Sequence, residues 1–170
     1  MKKLIIALLF TNLVSAQYVA FIGGLDLKNA TIGSDATNNK PELNYSLQFT
    51  MVSIKNVEAG IGYESFERID FNRMYLSAGV QFPIGQFKII PTLEPSIINR
   101  FRNWGGGLDY NFSQSFLTVA FNLAIQYGLN DRFAVQSAIN LLPRPDDKMM
   151  FDDSKITPSI TAKLVYKINL

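Results

Sequence analysis

Cysteine and histidine are both missing from this chain of 170 residues. Without cysteine there is no disulfide framework, no thiolate metal site, no thiol nucleophile and no lipid-bearing N-terminal cysteine. Without histidine there is no Ser-His-Asp triad, no imidazole-bound zinc and no imidazole general base. Charge is scarce as well, at 18% against 48% hydrophobic residues, which excludes a disordered chain. Net charge is only +2, and no basic stripe suggests nucleic acid as a partner. Long hydrophobic runs are lacking too. The longest, LIIALLF at 4–10, is far short of the roughly 20 residues a spanning helix needs.

That short run has a different meaning. Lys2 and Lys3 precede it, and Val14-Ser15-Ala16 follows with small residues at the third-last and last positions of the segment. This is the pattern of a secretory signal, so residues 1–16 are expected to be cleaved and 17–170 to form a single domain. Lys2 and Lys3 carry the whole positive surplus: without them, 14 basic residues face 14 acidic ones.

In the rest of the chain, apolar residues recur at every second position. In 115–129, Leu117, Val119, Phe121, Leu123, Ile125, Tyr127 and Leu129 share one parity, and Phe116, Thr118, Ala120, Asn122, Ala124, Gln126 and Gly128 share the other. A period of two means a strand with one bulky apolar face and one small or polar face. Eight such segments occur, at 17–27, 43–54, 57–66, 73–84, 87–100, 115–129, 132–142 and 159–170. Pro91 and Pro95 cannot donate to a ladder, so a bend or bulge is expected there.

The connections strictly alternate. Those at 55–56, 83–86 and 128–131 are tight hairpin turns, while those at 28–41, 67–72, 101–112 and 144–156 are long. In an up-and-down arrangement all short turns and both termini lie at one end, and all long loops at the other. The fold class is therefore all-β, an eight-stranded antiparallel up-and-down transmembrane β-barrel, its termini periplasmic and its four long loops extracellular. Residue size decides the faces. The interior of an eight-stranded barrel has just enough room for side chains, so the bulky parity belongs outside, against lipid. Aromatic girdles are expected from Phe82, Phe87, Tyr127, Phe133 and Tyr166 at the short-turn end, and from Tyr63, Phe66, Phe101, Phe112 and Phe116 at the long-loop end.

With this architecture and its last strand, the chain resembles the small eight-stranded outer-membrane barrels of OmpA-transmembrane and OmpX type. In that family the last strand carries alternate apolar residues ending in an aromatic, which the assembly machinery reads. Leu164, Tyr166, Ile168 and Leu170 match the alternation, with Leu170 where the family usually has Phe. The resemblance implies the outer membrane of a Gram-negative bacterium, lipid and lipopolysaccharide as surroundings, the barrel-assembly machinery as a partner during insertion, and a monomer.

The inferred interior carries Asp26, Glu58, Glu64 and Glu94 with Arg73, Lys88, Arg100, Arg132, Lys163 and Lys167. Mixed charge in so narrow a space must pair, since unpaired buried charge is costly, and a closed, salt-bridged plug is expected. In the loop FRNWGGGLDYNF at 101–112, Arg102, Trp104 and Tyr110 are the candidate contacts for an extracellular or envelope protein partner. Asp146, Asp147, Asp152 and Asp153 lack the regular spacing of a cation loop and are expected on a solvated loop. No cofactor or metal is expected. The functional expectation is a structural or partner-binding barrel without catalysis. A narrow channel for small solutes or ions and a periplasmic lipocalin-like binder are the alternatives. The outer-membrane phospholipase, lipid A deacylase, palmitoyltransferase and omptin-type protease families all rely on a histidine, which this chain lacks.

Overall fold

The computed structural model describes residues 16–31, 41–66, 71–103, 111–147 and 155–170. The period of two in the sequence becomes a period of two in burial. Along β4 (Phe71–Val80), Phe71, Arg73, Tyr75 and Ser77 are buried while Met74, Leu76, Ala78 and Val80 are exposed. The strands before it are β1 (Ala16–Asp26), β2 (Asn44–Ser53) and β3 (Val57–Phe66). Those after it are β5 (Phe82–Ile84), β6 (Phe87–Asn103), β7 (Asn111–Gly128), β8 (Phe133–Arg144) and β9 (Lys155–Asn169). A five-residue helix, α1 (Leu27–Thr31), follows β1, and a 3₁₀ turn (Pro145–Asp147) follows β8.

Every pairing is antiparallel. Strands adjacent in sequence pair, except β4 with β5, and β1 pairs with β9 from Tyr18↔Asn169 to Asp26↔Thr161. β4 and β5 both pair with β6, so they are one wall strand interrupted at Gln81, and the sheet closes as an eight-stranded barrel. Closure leaves no open edge, which is the condition a sheet must meet in hydrocarbon.

The tight turns explain themselves locally. Asn56 takes a φ of 60° and its N–H donates to Ser53 O at 2.9 Å; asparagine tolerates this left-handed conformation better than most residues. Gly85 takes a φ of 62° at the first of two turn residues, as a type II′ hairpin requires. Asn130 Oδ1 accepts from the N–H of Arg132 at 2.9 Å and of Phe133 at 2.8 Å, closing the β7–β8 turn through a side chain.

Three expectations need correction. The bulge at the prolines is absent: β6 pairs with β7 over its whole length without a register shift, and the one shift lies between Ala16 and Tyr18. A proline removes a donor toward one neighbour only, so a ladder is weakened on one side without changing register. Secondly, β6 and β7 run further than 87–100 and 115–129, pairing on to Asn103↔Asn111. Ser113, Gln114 and Ser115 are polar on both faces, so a ladder sustained by backbone hydrogen bonds leaves no periodic trace there. Thirdly, Phe66 and Phe116 are not part of an outer girdle. Phe66 is buried inside with Phe71, Ile98, Ala120 and Leu142, and Phe116 packs against that cluster. At the short-turn end, Phe82, Phe87 and Phe133 do point outward, and Phe87–Tyr127 and Phe133–Tyr166 meet as cross-strand ring pairs at 5.1 and 5.2 Å. The side chains of Phe101 and Phe112 lie outside the described residues.

Candidate functional site

Inward parity brings charged side chains from different strands to the same level of the barrel. At the centre Arg73 on β4 lies between two acids. Its Nη1 reaches Glu64 Oε2 on β3 at 3.2 Å, its Nη2 reaches Glu94 Oε2 on β6, and its Nε donates to Ser96 Oγ at 3.1 Å. Glu64 and Arg73 are register partners, whereas Glu94 arrives from the other neighbouring strand. Asn140 Nδ2 on β8 donates to Glu94 Oε2 at 3.3 Å, and the Tyr75 ring lies 4.5 Å from the guanidinium carbon. Arg73 and Glu94 are each about 1% exposed, so their charges rely on one another and on these hydrogen bonds. Gly62 makes room for this group: a Cβ there would run into the Tyr75 ring.

Toward the short turns a second group is joined by an amide. Gln81 Nε2 donates to Glu58 Oε2 at 2.9 Å, and Gln81 Oε1 accepts from Tyr18 Oη and Lys88 Nζ, both at 2.8 Å. Lys88 Nζ also donates to Tyr18 Oη at 3.2 Å. Gln81 and Tyr18 are neutral, so a reading for charge passes over them. Gln81 is nevertheless marked in the sequence as an amide on the inward parity, seven residues before Lys88.

A third group lies toward the long connections. Arg144 holds Asp146 through two hydrogen bonds, Nε to Oδ1 at 2.9 Å and Nη2 to Oδ2 at 2.7 Å. Arg100 Nε on β6 lies 3.4 Å from the same carboxylate, and the Arg144 guanidinium sits 4.6 Å from the centre of the Phe71 ring. Asp146 was expected on a solvated loop, yet its residue is 1% exposed. The 3₁₀ turn folds it inward, and two arginines compensate its charge. The signal was the Arg144-Pro145-Asp146 triplet at the end of an inward-facing parity. The side chain of Asp147 and all of Asp152 and Asp153 lie outside the described residues.

The other predicted residues are placed as follows. Asp26 is buried and accepts from Asn29 N–H at 2.8 Å, capping α1. Lys163 is 8% exposed and has no ion pair among the described residues. Its stem crosses Gly24, where a Cβ would lie 2.7 Å from Lys163 Cγ. Lys167 is half-buried near the short turns. Arg132 is not in the interior: it is exposed in the turn that Asn130 closes. The side chain of Arg102 lies outside the described residues, as do Trp104 and Tyr110 entirely. Leu164, Tyr166, Ile168 and Leu170 all lie exposed on the outer side of β9 and just past its end. The interior groups are thus joined mainly to each other, through links spread over β1, β3, β4, β6 and β8.

No family model matches the sequence, and no curated protein does. Solved structures match across nearly the whole chain. The N-terminal β-barrel domain of Pseudomonas aeruginosa OprF is similar at a TM-score of 0.62 and 11% identity, covering 92% of this chain and 99% of that one. Neisserial surface protein A is similar at 0.57 and 11%, covering 90% and 96%. The attachment invasion locus protein Ail of Yersinia pestis, solved with the heparin analogue sucrose octasulfate, is similar at 0.52 and 12%, covering 91% and 97%. At these identities the likeness is one of fold, and the chain has the fold of the small eight-stranded outer-membrane β-barrels.

Proposed function

We propose that this protein is an integral barrel of a Gram-negative outer membrane, closed by a polar, salt-bridged interior, with a structural or partner-binding role and no catalysis. The observation that carries this reading is the reversal of its two faces. Large apolar residues such as Phe21, Leu47, Leu76, Leu93, Leu117 and Ile160 are exposed on the outside, while Arg73, Glu94, Thr50, Ser77 and Gln126 are buried within. In water this arrangement is unstable; in hydrocarbon it is what a closed barrel requires. Short turns on the periplasmic side, long connections facing out, and the outer row of β9 as the signal to the assembly machinery complete the proposal, with a monomer in lipid and lipopolysaccharide. Arg102, Trp104 and Tyr110 are the proposed contacts for a protein partner.

The test is extraction and gel mobility. The protein is expected to need detergent for extraction and to migrate differently before and after boiling. Release into plain buffer with one unchanged band would remove the membrane reading. A narrow channel is the second reading, favoured by Lys163, a buried cation with no ion pair among the described residues. Reproducible stepwise conductance of pure protein in a planar bilayer would replace the plug with a channel.

A further inference from the structure

The register of β1 on β2 breaks at the very start of the strand. The pairs run Ala16↔Ser53 and then Tyr18↔Val52, with a shift between them. Gln17 is the extra residue of this bulge and has no partner on β2. Toward β9 the ladder begins only at Tyr18↔Asn169, and Gln17 is tied there through its carbonyl, which accepts from Leu170 N–H at 3.2 Å. Its side chain is exposed, whereas the next residue, Tyr18, points into the barrel and is buried. The Gln17 carboxamide makes no hydrogen bond among the described residues.

The same residue follows the bond at which the sequence places the cut. Removal of residues 1–16 after Val14-Ser15-Ala16 makes Gln17 the first residue and gives it a free α-amine. It also removes the Ala16↔Ser53 pair, so that no ladder pair beyond Tyr18 holds the new terminus. An N-terminal glutamine carries its own electrophile: the amine nitrogen, Cα, Cβ, Cγ and Cδ can close into a lactam, and an intramolecular attack of this kind needs only that the two groups be free to meet.

We propose that Gln17 is a modification site, converted to pyroglutamate once the signal is removed. The proposal rests on the cleavage expected from the sequence. The α-amine, as the free base, attacks Cδ of its own side chain. The N–Cδ bond forms, the Cδ–Nε2 bond breaks, and ammonia leaves with the proton that the amine gives up. No oxidant, nucleotide or metal is consumed. The folded barrel accommodates the product because the ring uses only the amine and the side chain, which the bulge keeps out of the β2 ladder. The Gln17 carbonyl lies outside the ring and keeps its bond from Leu170 N–H. The product has a neutral terminus at the β1–β9 seam in place of an ammonium.

The experiment is intact-mass measurement of the protein exported with its own signal in a Gram-negative host, with N-terminal sequencing before and after pyroglutamyl aminopeptidase. The wild type is expected to be lighter than 17–170 by one ammonia, to give no sequence as isolated, and to read from Tyr18 after the aminopeptidase. Gln17→Ala, and Gln17→Asn with a side chain one methylene too short for the ring, are expected to keep their full mass and to be readable as isolated. The loss of ammonia is expected in the heat-shifted, folded gel band; its confinement to the unfolded band overturns the role given to the bulge. A wild type with the full mass of 17–170 and a readable terminus overturns the cyclisation and leaves the cleavage standing. A first residue other than Gln17 overturns the cleavage and the modification together. The membrane reading is decided separately, by extraction, and its failure leaves these masses unchanged.

Discussion

The two faces of one strand follow opposite rules. On β7, Phe121 faces out and is 42% exposed, while its neighbour Asn122 faces in and is 4% exposed. On β6, outward Leu93 adjoins inward Glu94. Outside, any apolar residue of suitable size satisfies hydrocarbon, and neighbours interact weakly. Inside, most charged side chains depend on a particular partner that arrives from another strand. The outer face therefore tests solvent and the inner face tests pairing, and substitutions at adjacent positions should fail for different reasons.

The largest effect is expected inside. Arg73→Ala leaves Glu64 and Glu94 without their shared cation, and losing one partner of a buried pair costs about 3–5 kcal/mol. The heat-shifted gel band should then unfold at clearly lower temperature or urea concentration. A melting point equal to wild type would mean that the interior is wet enough to solvate both acids. Glu94→Ala should change stability in the same direction but by less, since Arg73 keeps Glu64 as its one remaining acid.

Next comes the outer face. Phe121→Arg places a charge near the middle of the belt, at a cost of about 2–4 kcal/mol if the site is at the bilayer midplane. Refolding yield into liposomes measures it; normal yield would mean that the faces are reversed. Asn122→Ala, one residue along, should leave insertion intact and lower stability only through its lost hydrogen bond to Thr92 Oγ1.

A smaller effect is expected at the long-connection end. Asp146→Ala removes the carboxylate that Arg144 and Arg100 share, and about 1–3 kcal/mol is the usual cost of leaving buried donors unmet. Thermal melting of the folded band reads it. Conductance should stay absent if the deeper Arg73 group alone closes the barrel, and should appear if the 3₁₀ turn is part of the closure. The smallest change is Phe133→Leu, which keeps the apolar surface and loses the ring pair with Tyr166, worth about 0.5–1.5 kcal/mol. A larger loss would show that the outer face also depends on specific partners.

Much of this fold was legible because parity is a local property. Residues 115–129 separate into faces without reference to any other strand, and so do 73–84 and 159–170. The long-short rhythm of the connections then placed the ends. The inward set on β6, Lys88, Thr92, Glu94, Ser96 and Arg100, was readable in the same way. Parity did not separate Arg132 from this set, because a side-chain-closed turn ends the strand before that position. Phe66 and Phe116 lie on the inward parity, with Glu64 and with Thr118, and the girdle expectation overrode that parity because an aromatic at a strand end fits a girdle as well as a core.

The sequence by itself determined which residues share a face, how many strands cross, and which connections are short. Each of these follows from spacing along one chain. Only the tertiary structure decided that Arg73 lies between Glu64 and Glu94, that Gln81 joins Glu58 to Lys88, and that Asp146 turns inward between Arg144 and Arg100. Those partners are set by the stagger between strands and by closure of β1 on β9 and of β4 on β6. Stagger is a property of the whole barrel, and no single strand carries it.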